Sequence, residues 1–257
     1  SNVFGLEPNY PCCTVNHPQG WPKFVSNAFL TTPDQKSLVH LYLGPFSTTA
    51  TLASGNKVTV NVDTLYPFSD TLTTTITATS AFTYFVRIPS WVVGGTIAIN
   101  GAAARAVSPS NGLLAVQVTA GTTKFVLNLP AQITTGSRLR SIYQPPILRS
   151  IDNRESRAVD LEFDATAPWQ YAIDPATLKF SNKAPASGRL PSPIFDAGQP
   201  PFTITATACR INWSTGGDTF AAPPPTNTTC TGAQTTITLW PFGVSFEHDH
   251  RAGIALT

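Results

Sequence analysis

From about residue 39 to residue 129 the chain alternates apolar and polar positions in short runs, the period of a strand with one buried face. The clearest run is Val58-Thr59-Val60-Asn61-Val62, where every second side chain is apolar. Such runs predict strands over 39–43, 48–52, 57–63, 71–79, 82–88, 96–99, 102–107, 113–118 and 123–129. Ser54-Gly55-Asn56 and Asn100-Gly101 read as turns between them, because Asn and Gly tolerate positive φ. Short strands at this spacing predict a β-sandwich or jelly roll.

Ahead of the strands, Trp21, Phe24, Val25, Ala28 and Phe29 recur at three- and four-residue intervals, which predicts a helix over 21–30. Pro22 fits its first turn, where a missing N–H costs nothing. Beyond residue 133 the alternation weakens. Gln144-Pro145-Pro146 interrupts a strand over 141–148, and the charged stretch Asp152-Asn153-Arg154-Glu155 follows, so a soft boundary is expected within 133–157. Further strands are predicted at 158–163, 169–173, 202–206 and 235–239, separated by Pro-rich loops such as 199–201 and Pro223-Pro224-Pro225. No fixed-period repeat occurs, which argues against a propeller or solenoid. The expected division is 1–32, 33–135 as β-sandwich, and 136–257 as a second β-rich region.

Composition supports this reading. The 257 residues include 23 Pro and 17 Gly but no Met, and only 12% are charged, which describes a turn-rich, strand-rich chain. The net charge is +2 and the basic residues are scattered, so neither nucleic acid nor an anionic membrane surface is expected as a partner. No apolar run reaches the roughly 20 residues of a bilayer span. Ser1-Asn2-Val3-Phe4-Gly5 lacks the parts of a signal peptide, and a chain starting at Ser is expected to be processed or a fragment.

Four cysteines fall in two settings. Cys209 and Cys230 bracket a Pro/Thr/Gly-rich loop and are expected to form a disulfide. The same loop holds two N-glycosylation sequons, Asn212-Trp213-Ser214 and Asn227-Thr228-Thr229, consistent with a secreted glycoprotein, although short sequons also arise by chance in Thr-rich chains. Cys12 and Cys13 are adjacent, and neighbouring cysteines rarely bond to each other because the ring is strained. They read either as metal-binding or catalytic thiolates or as two buried or separately paired thiols. His17 and Glu7 are the local donors beside them, at spacings that match no closed structural zinc site.

Other chemistry-bearing residues have plainer explanations. Glu247-His248-Asp249-His250 holds enough donors for a metal but reads as a solvated tail. His40, within a strand, reads as a half-buried, hydrogen-bonded histidine. Asp160, Glu162 and Asp164 alternate with apolar residues and read as a strand's outer face. Trp21, Trp91, Trp169 and Trp240 are expected in cores, whereas Trp213, beside a sequon, is the candidate sugar-stacking ring.

The segment Cys12-Cys13-Thr14-Val15-Asn16 resembles the Cys-Cys-x-x-Asn motif of the β-L-arabinofuranosidases of glycoside hydrolase family 127. Leu41-Tyr42-Leu43-Gly44-Pro45, Asp63-Thr64-Leu65-Tyr66-Pro67-Phe68, Arg87-Ile88-Pro89-Ser90-Trp91 and Ile99-Asn100-Gly101 resemble, in order, landmarks of the β-sandwich that follows the catalytic barrel in that family. His17-Pro18-Gln19-Gly20-Trp21-Pro22-Lys23-Phe24 is most similar to fungal secreted members. The resemblance implies a mainly β fold: a jelly-roll-like β-sandwich domain or domains, preceded in 1–32 by a short helical segment left from an (α/α)6 barrel. It further implies retaining hydrolysis of a glycosidic bond with Cys12 as nucleophile and Cys13 as a zinc ligand, Asn16 and His17 lying beside them. The family's other zinc ligands and its general acid come from the upstream barrel, so a separate N-terminal catalytic chain and an assembled zinc site are implied. The rival expectation is a non-catalytic, lectin-like carbohydrate-binding sandwich; a purely structural sandwich is a third.

Overall fold

In the computed structural model, residues 12–133, 142–143, 146–153, 158–165, 168–195, 199–216, 220–222, 225–226, 228–241 and 255–256 are described. The chain divides into two compact units, one spanning Pro11–Gln132 and the other taking in Ile133–Thr257.

The first unit opens with helix α1, Cys12–Ser26. The predicted helix over 21–30 is therefore displaced towards the N-terminus and ends earlier. Pro18 and Pro22 both lie inside α1 and not at its first turn, each removing an N–H from the ladder. At the other end, Asn27 donates its side-chain Nδ2 to the Lys23 carbonyl (2.7 Å) and closes the helix. Ala28 and Phe29 keep the helical spacing but are claimed by tertiary pairing: β1, Phe29–Thr31, runs antiparallel to β2, Leu38–His40, with Phe29 opposite His40. Strand pairing wins because Phe29 then lays its ring on the His40 imidazole at 4.7 Å.

The strands that follow are β3 Ser47–Thr51, β4 Lys57–Thr64, β5 Thr71–Ala78, β6 Phe82–Arg87, β7 Thr96–Ile99, β8 Arg105–Ala106, β9 Leu113–Val118 and β10 Gly121–Asn128. They form a four-stranded sheet, β1-β2-β6-β9, and a six-stranded sheet, β3-β4-β5-β10-β7-β8. β2 and β6 are parallel; every other pairing is antiparallel. Alternation decides which side chains meet. Val58, Val60 and Val62 of β4 are buried while their neighbours are exposed, and Tyr84 of β6 reaches Phe125 of β10 across the interlayer at 5.9 Å. The shared core draws on both sheets, with Leu38, Tyr84, Val86, Leu114 and Val116 facing Val60, Leu72, Ile76, Phe125 and Leu127. Each such fully buried aliphatic side chain stabilises the fold by about 1.5–3 kcal/mol. The chain is thus mainly β and this unit is a β-sandwich. The expected strand over 102–107 shrinks to β8, since the Ile99–Ala102 turn, with Asn100 and Gly101 both at positive φ, leaves the next residues outside the ladder.

The second unit contains β11 Ile142–Tyr143, β12 Pro146–Asn153, β13 Ala158–Ala165, β14 Tyr171–Ile173, β15 Lys179–Asn182, β16 Phe202–Arg210, β17 Thr215–Gly216, β18 Phe220–Ala221, β19 Thr235–Leu239 and β20 Ala255–Leu256. β12 and β13 pair in register over their full lengths, so Asp152 and Asn153 at the start of the charged stretch belong to a strand. β16 is the centre of this unit, pairing with β14, β15 and β19. It is longer than the predicted 202–206 and carries Ile204, Ala206 and Ala208 into a small core with Ile237 and Leu239.

Candidate functional site

Cys12 and Cys13 are the first two residues of α1, and Asn16 and His17 follow one turn later. Their side chains, like Glu7, lie outside the described residues. The first turn of α1 holds no acidic residue. What the structure does fix is how the helix reaches the sandwich. Phe24, two residues before its end, stacks on Tyr42 at 4.3 Å and lies 6.0 Å from the ring of Phe46. Trp21 meets the edge of Phe24 and remains 60% exposed, so it is not the core residue expected.

The segments quoted for the family resemblance each make defined contacts. Gly44 lies under Phe46: a Cβ there would come within 2.6 Å of the ring. Thr64 donates its hydroxyl to the Thr71 carbonyl (2.8 Å) and accepts the Tyr66 N–H (3.0 Å), closing the β4–β5 connection, in which the Tyr66–Pro67 peptide is cis. Tyr66 then stacks near-parallel on Trp91, 6.4 Å away, although 25 positions separate them in the chain. Trp91 is 40% exposed, again outside the core. Asn100 accepts the Lys124 N–H on its side chain (2.9 Å) and donates its own N–H to the Lys124 carbonyl (2.7 Å), pinning the Asn-Gly turn to β10.

His40 is not half-buried but fully enclosed. Its Nε2 lies 2.6 Å from the Tyr42 carbonyl and so carries the proton, while Nδ1 has no partner among the described residues. Desolvation pushes its pKa down to about 4, against the opposing pull of the Tyr42 carbonyl. Tyr84, next to it, is also buried with its hydroxyl unpartnered among the described residues, and desolvation raises its pKa. This pair is core, not a catalytic dyad.

In the second unit Cys209 and Cys230 are disulfide-bonded, with Cα atoms 5.5 Å apart. Asn212 is exposed; Asn227 lies outside the described residues, as does Glu247-His248-Asp249-His250. Trp213 is no free stacking platform. Its indole N–H donates to the Ala222 carbonyl at 2.8 Å and its ring meets Trp169 edge-on at 5.3 Å. The side chains of Asp160, Glu162 and Asp164, on β13, are outside the described set.

The described residues contain no group of three His, Cys, Asp or Glu side chains able to hold a metal. Cys12 and Cys13 would supply at most two of the four ligands zinc takes. No described helix is long and apolar enough to cross a membrane, and a disulfide is compatible with an extracellular protein.

Residues 37–130 match the family described as β-L-arabinofuranosidase, GH127 middle domain. This segment is similar to the GH127 middle domain. All four sandwich landmarks named above lie within the matched segment; the Cys12-Cys13 pair lies before it. Among solved structures, a GH127 β-L-arabinofuranosidase from Geobacillus stearothermophilus T6 is similar with a TM-score of 0.54 and 15% identity, covering 95% of this chain and 37% of its own. A second structure, a glycoside hydrolase, gives a TM-score of 0.54 and 14% identity, over 96% of this chain and 39% of its own. At these identities the likeness is one of fold. The chain thus spans well under half the length of these relatives. No curated protein matches the sequence.

Proposed function

We propose that this GH127-like chain is the C-terminal part of a retaining glycoside hydrolase whose nucleophile is Cys12. The observation that supports it most is positional. The segment matching the GH127 middle domain is preceded by a helix that starts at Cys12-Cys13 and stacks Phe24 on Tyr42, which is inside the matched segment.

In this reading the Cys12 thiolate attacks the anomeric carbon of a glycoside, an arabinofuranoside by analogy. The C–O bond to the leaving group breaks, and a carboxylic acid protonates that oxygen. Water then displaces the thiolate from the thioglycosyl intermediate, so the anomeric configuration is retained after two inversions. The acid comes from a barrel in polypeptide outside these 257 residues. Zinc belongs to the reading only in that assembled site, with Cys13 as one ligand. Secretion, glycosylation at Asn212 and Asn227, and a fungal source go with the same reading, supported by the sequons, the disulfide and the segment His17–Phe24.

The test is turnover of aryl arabinofuranosides. The chain alone is expected to be inactive, and the assembled protein active in a way that Cys12→Ser abolishes. Turnover by the isolated chain that Cys12→Ser removes would overturn the need for a separate barrel; turnover in the assembled protein that survives Cys12→Ser would overturn the nucleophile. A match confined to a middle domain that folds as a sandwich with its own core favours one second reading, a non-catalytic carbohydrate-binding sandwich. Glycan binding that persists in metal-free protein carrying Cys12→Ser and Cys13→Ser would select it.

A further inference from the structure

A cleft of about 510 Å³ opens in the second unit where the loop after β15 folds back over β16 and β19. The ladder explains its floor. Ile204 of β16 pairs with Leu239 of β19, and both point into the small core, 8% and 1% exposed. Alternation turns the next residue of each, Thr203 and Trp240, to the opposite face, and both line the cleft. The wall is anchored at its base, where the Lys183 N–H donates to the Pro201 carbonyl at 2.7 Å. Above it stand Pro193 and Pro200, with Lys183 and Gln199 exposed at the rim.

We propose that this cleft is a saccharide-binding site that holds a short stretch of a neutral glycan against Trp240. The volume falls within the roughly 300–1,000 Å³ of small-ligand sites. Its chemistry is two-sided. The half-buried indole and the proline rings offer apolar and π surface to the C–H face of a sugar ring. The Lys183 ammonium, the Gln199 carboxamide and the hydroxyls of Thr203 and Ser192 supply donors and acceptors for sugar hydroxyls. No carboxylate lines the cleft among the described residues, so nothing there selects a cationic ligand. The choice of a sugar over other amphipathic ligands rests on the glycoside hydrolase reading above; the lining itself does not.

The test is titration of the full chain with arabino-, xylo- and cello-oligosaccharides, read by tryptophan fluorescence and calorimetry. Saturable binding to at least one series is expected, weakened about tenfold or more by Trp240→Ala and unchanged by Cys12→Ser. Where Trp240→Ala disturbs folding, Lys183→Ala combined with Gln199→Ala, both at exposed positions, is expected to weaken binding about threefold to tenfold. Absence of saturable binding to all three series, undiminished binding in the folded variants, or binding of a proline-rich peptide in place of sugars would each overturn the proposal. Loss of the cleft's binding with Cys12-dependent turnover intact sinks the cleft alone; the reverse pattern sinks the catalytic reading alone.

Discussion

The side chain of Asn56 holds the backbone of Ser80 at both ends: Nδ2 donates to the Ser80 carbonyl at 3.0 Å, and Oδ1 accepts the Ser80 N–H at 2.9 Å. Oδ1 also accepts the Thr79 hydroxyl at 3.0 Å, and the whole group is 4% exposed. A carboxamide is suited to this because it presents one donor and one acceptor in a plane. The clip joins the β3–β4 turn to the β5–β6 turn at one end of the sandwich. Asn56→Asp replaces the donor with an oxygen facing the Ser80 carbonyl, and should destabilise the sandwich by about 2–3 kcal/mol, seen as a lower urea midpoint at unchanged slope.

His40 is neutral in the folded state and has a pKa of about 4 there, against an ordinary value of 6.5. Between those pH values the unfolded chain binds more protons, so acid favours unfolding. Stability should fall as pH drops from about 6.5 to about 4, by roughly 3 kcal/mol in total, and this histidine should contribute no further loss below that. Urea titrations across this range should show the decline in the native chain and a shallower one in His40→Gln.

Gly44 carries no side chain because the Phe46 ring occupies that space, and Phe46 is itself packed near Phe24 and Phe29. Gly44→Ala should cost about 1–3 kcal/mol through overpacking. Adding Phe46→Ala should remove most of that penalty, so a double-mutant cycle with strong coupling is expected; additive effects would contradict the steric account.

The Cys209–Cys230 bond closes a loop of 21 positions. Chain-entropy arguments put its contribution at about 3 kcal/mol. In Cys209→Ala with Cys230→Ala the second unit should melt earlier. Loosening of the loop should also expose Trp213, now tied to Ala222 and Trp169, and shift tryptophan emission to the red.

The sandwich was legible because its strands alternate. In β4 and β9 a one-residue shift would turn every valine outwards, so the pattern alone specifies which face is buried. The helix was misplaced because period is a local signal: Ala28 and Phe29 continue the helical spacing, yet Phe29 gains more by pairing with and stacking on His40. β15 was missed because Lys179-Phe180-Ser181-Asn182 has no alternation of its own and is a strand only through its hydrogen bonds to β16. The chemistry at Cys12 and Cys13 was legible only as a motif.

By itself, then, the sequence determined the class of fold, the strands of the sandwich, its Asn-Gly turn and the cysteine pair at the head of the chain. These are local properties, carried by alternation, by residues that accept positive φ, and by short spacings. Only tertiary structure decided that Tyr66 meets Trp91, that Asn56 clips Ser80, that Trp213 is tied down while Trp21 and Trp91 stay exposed, and that Trp240 faces a cleft. Each of those depends on which strands become neighbours, and pairing across tens of residues is set by the sum of burial over the whole core, which no short stretch of chain contains.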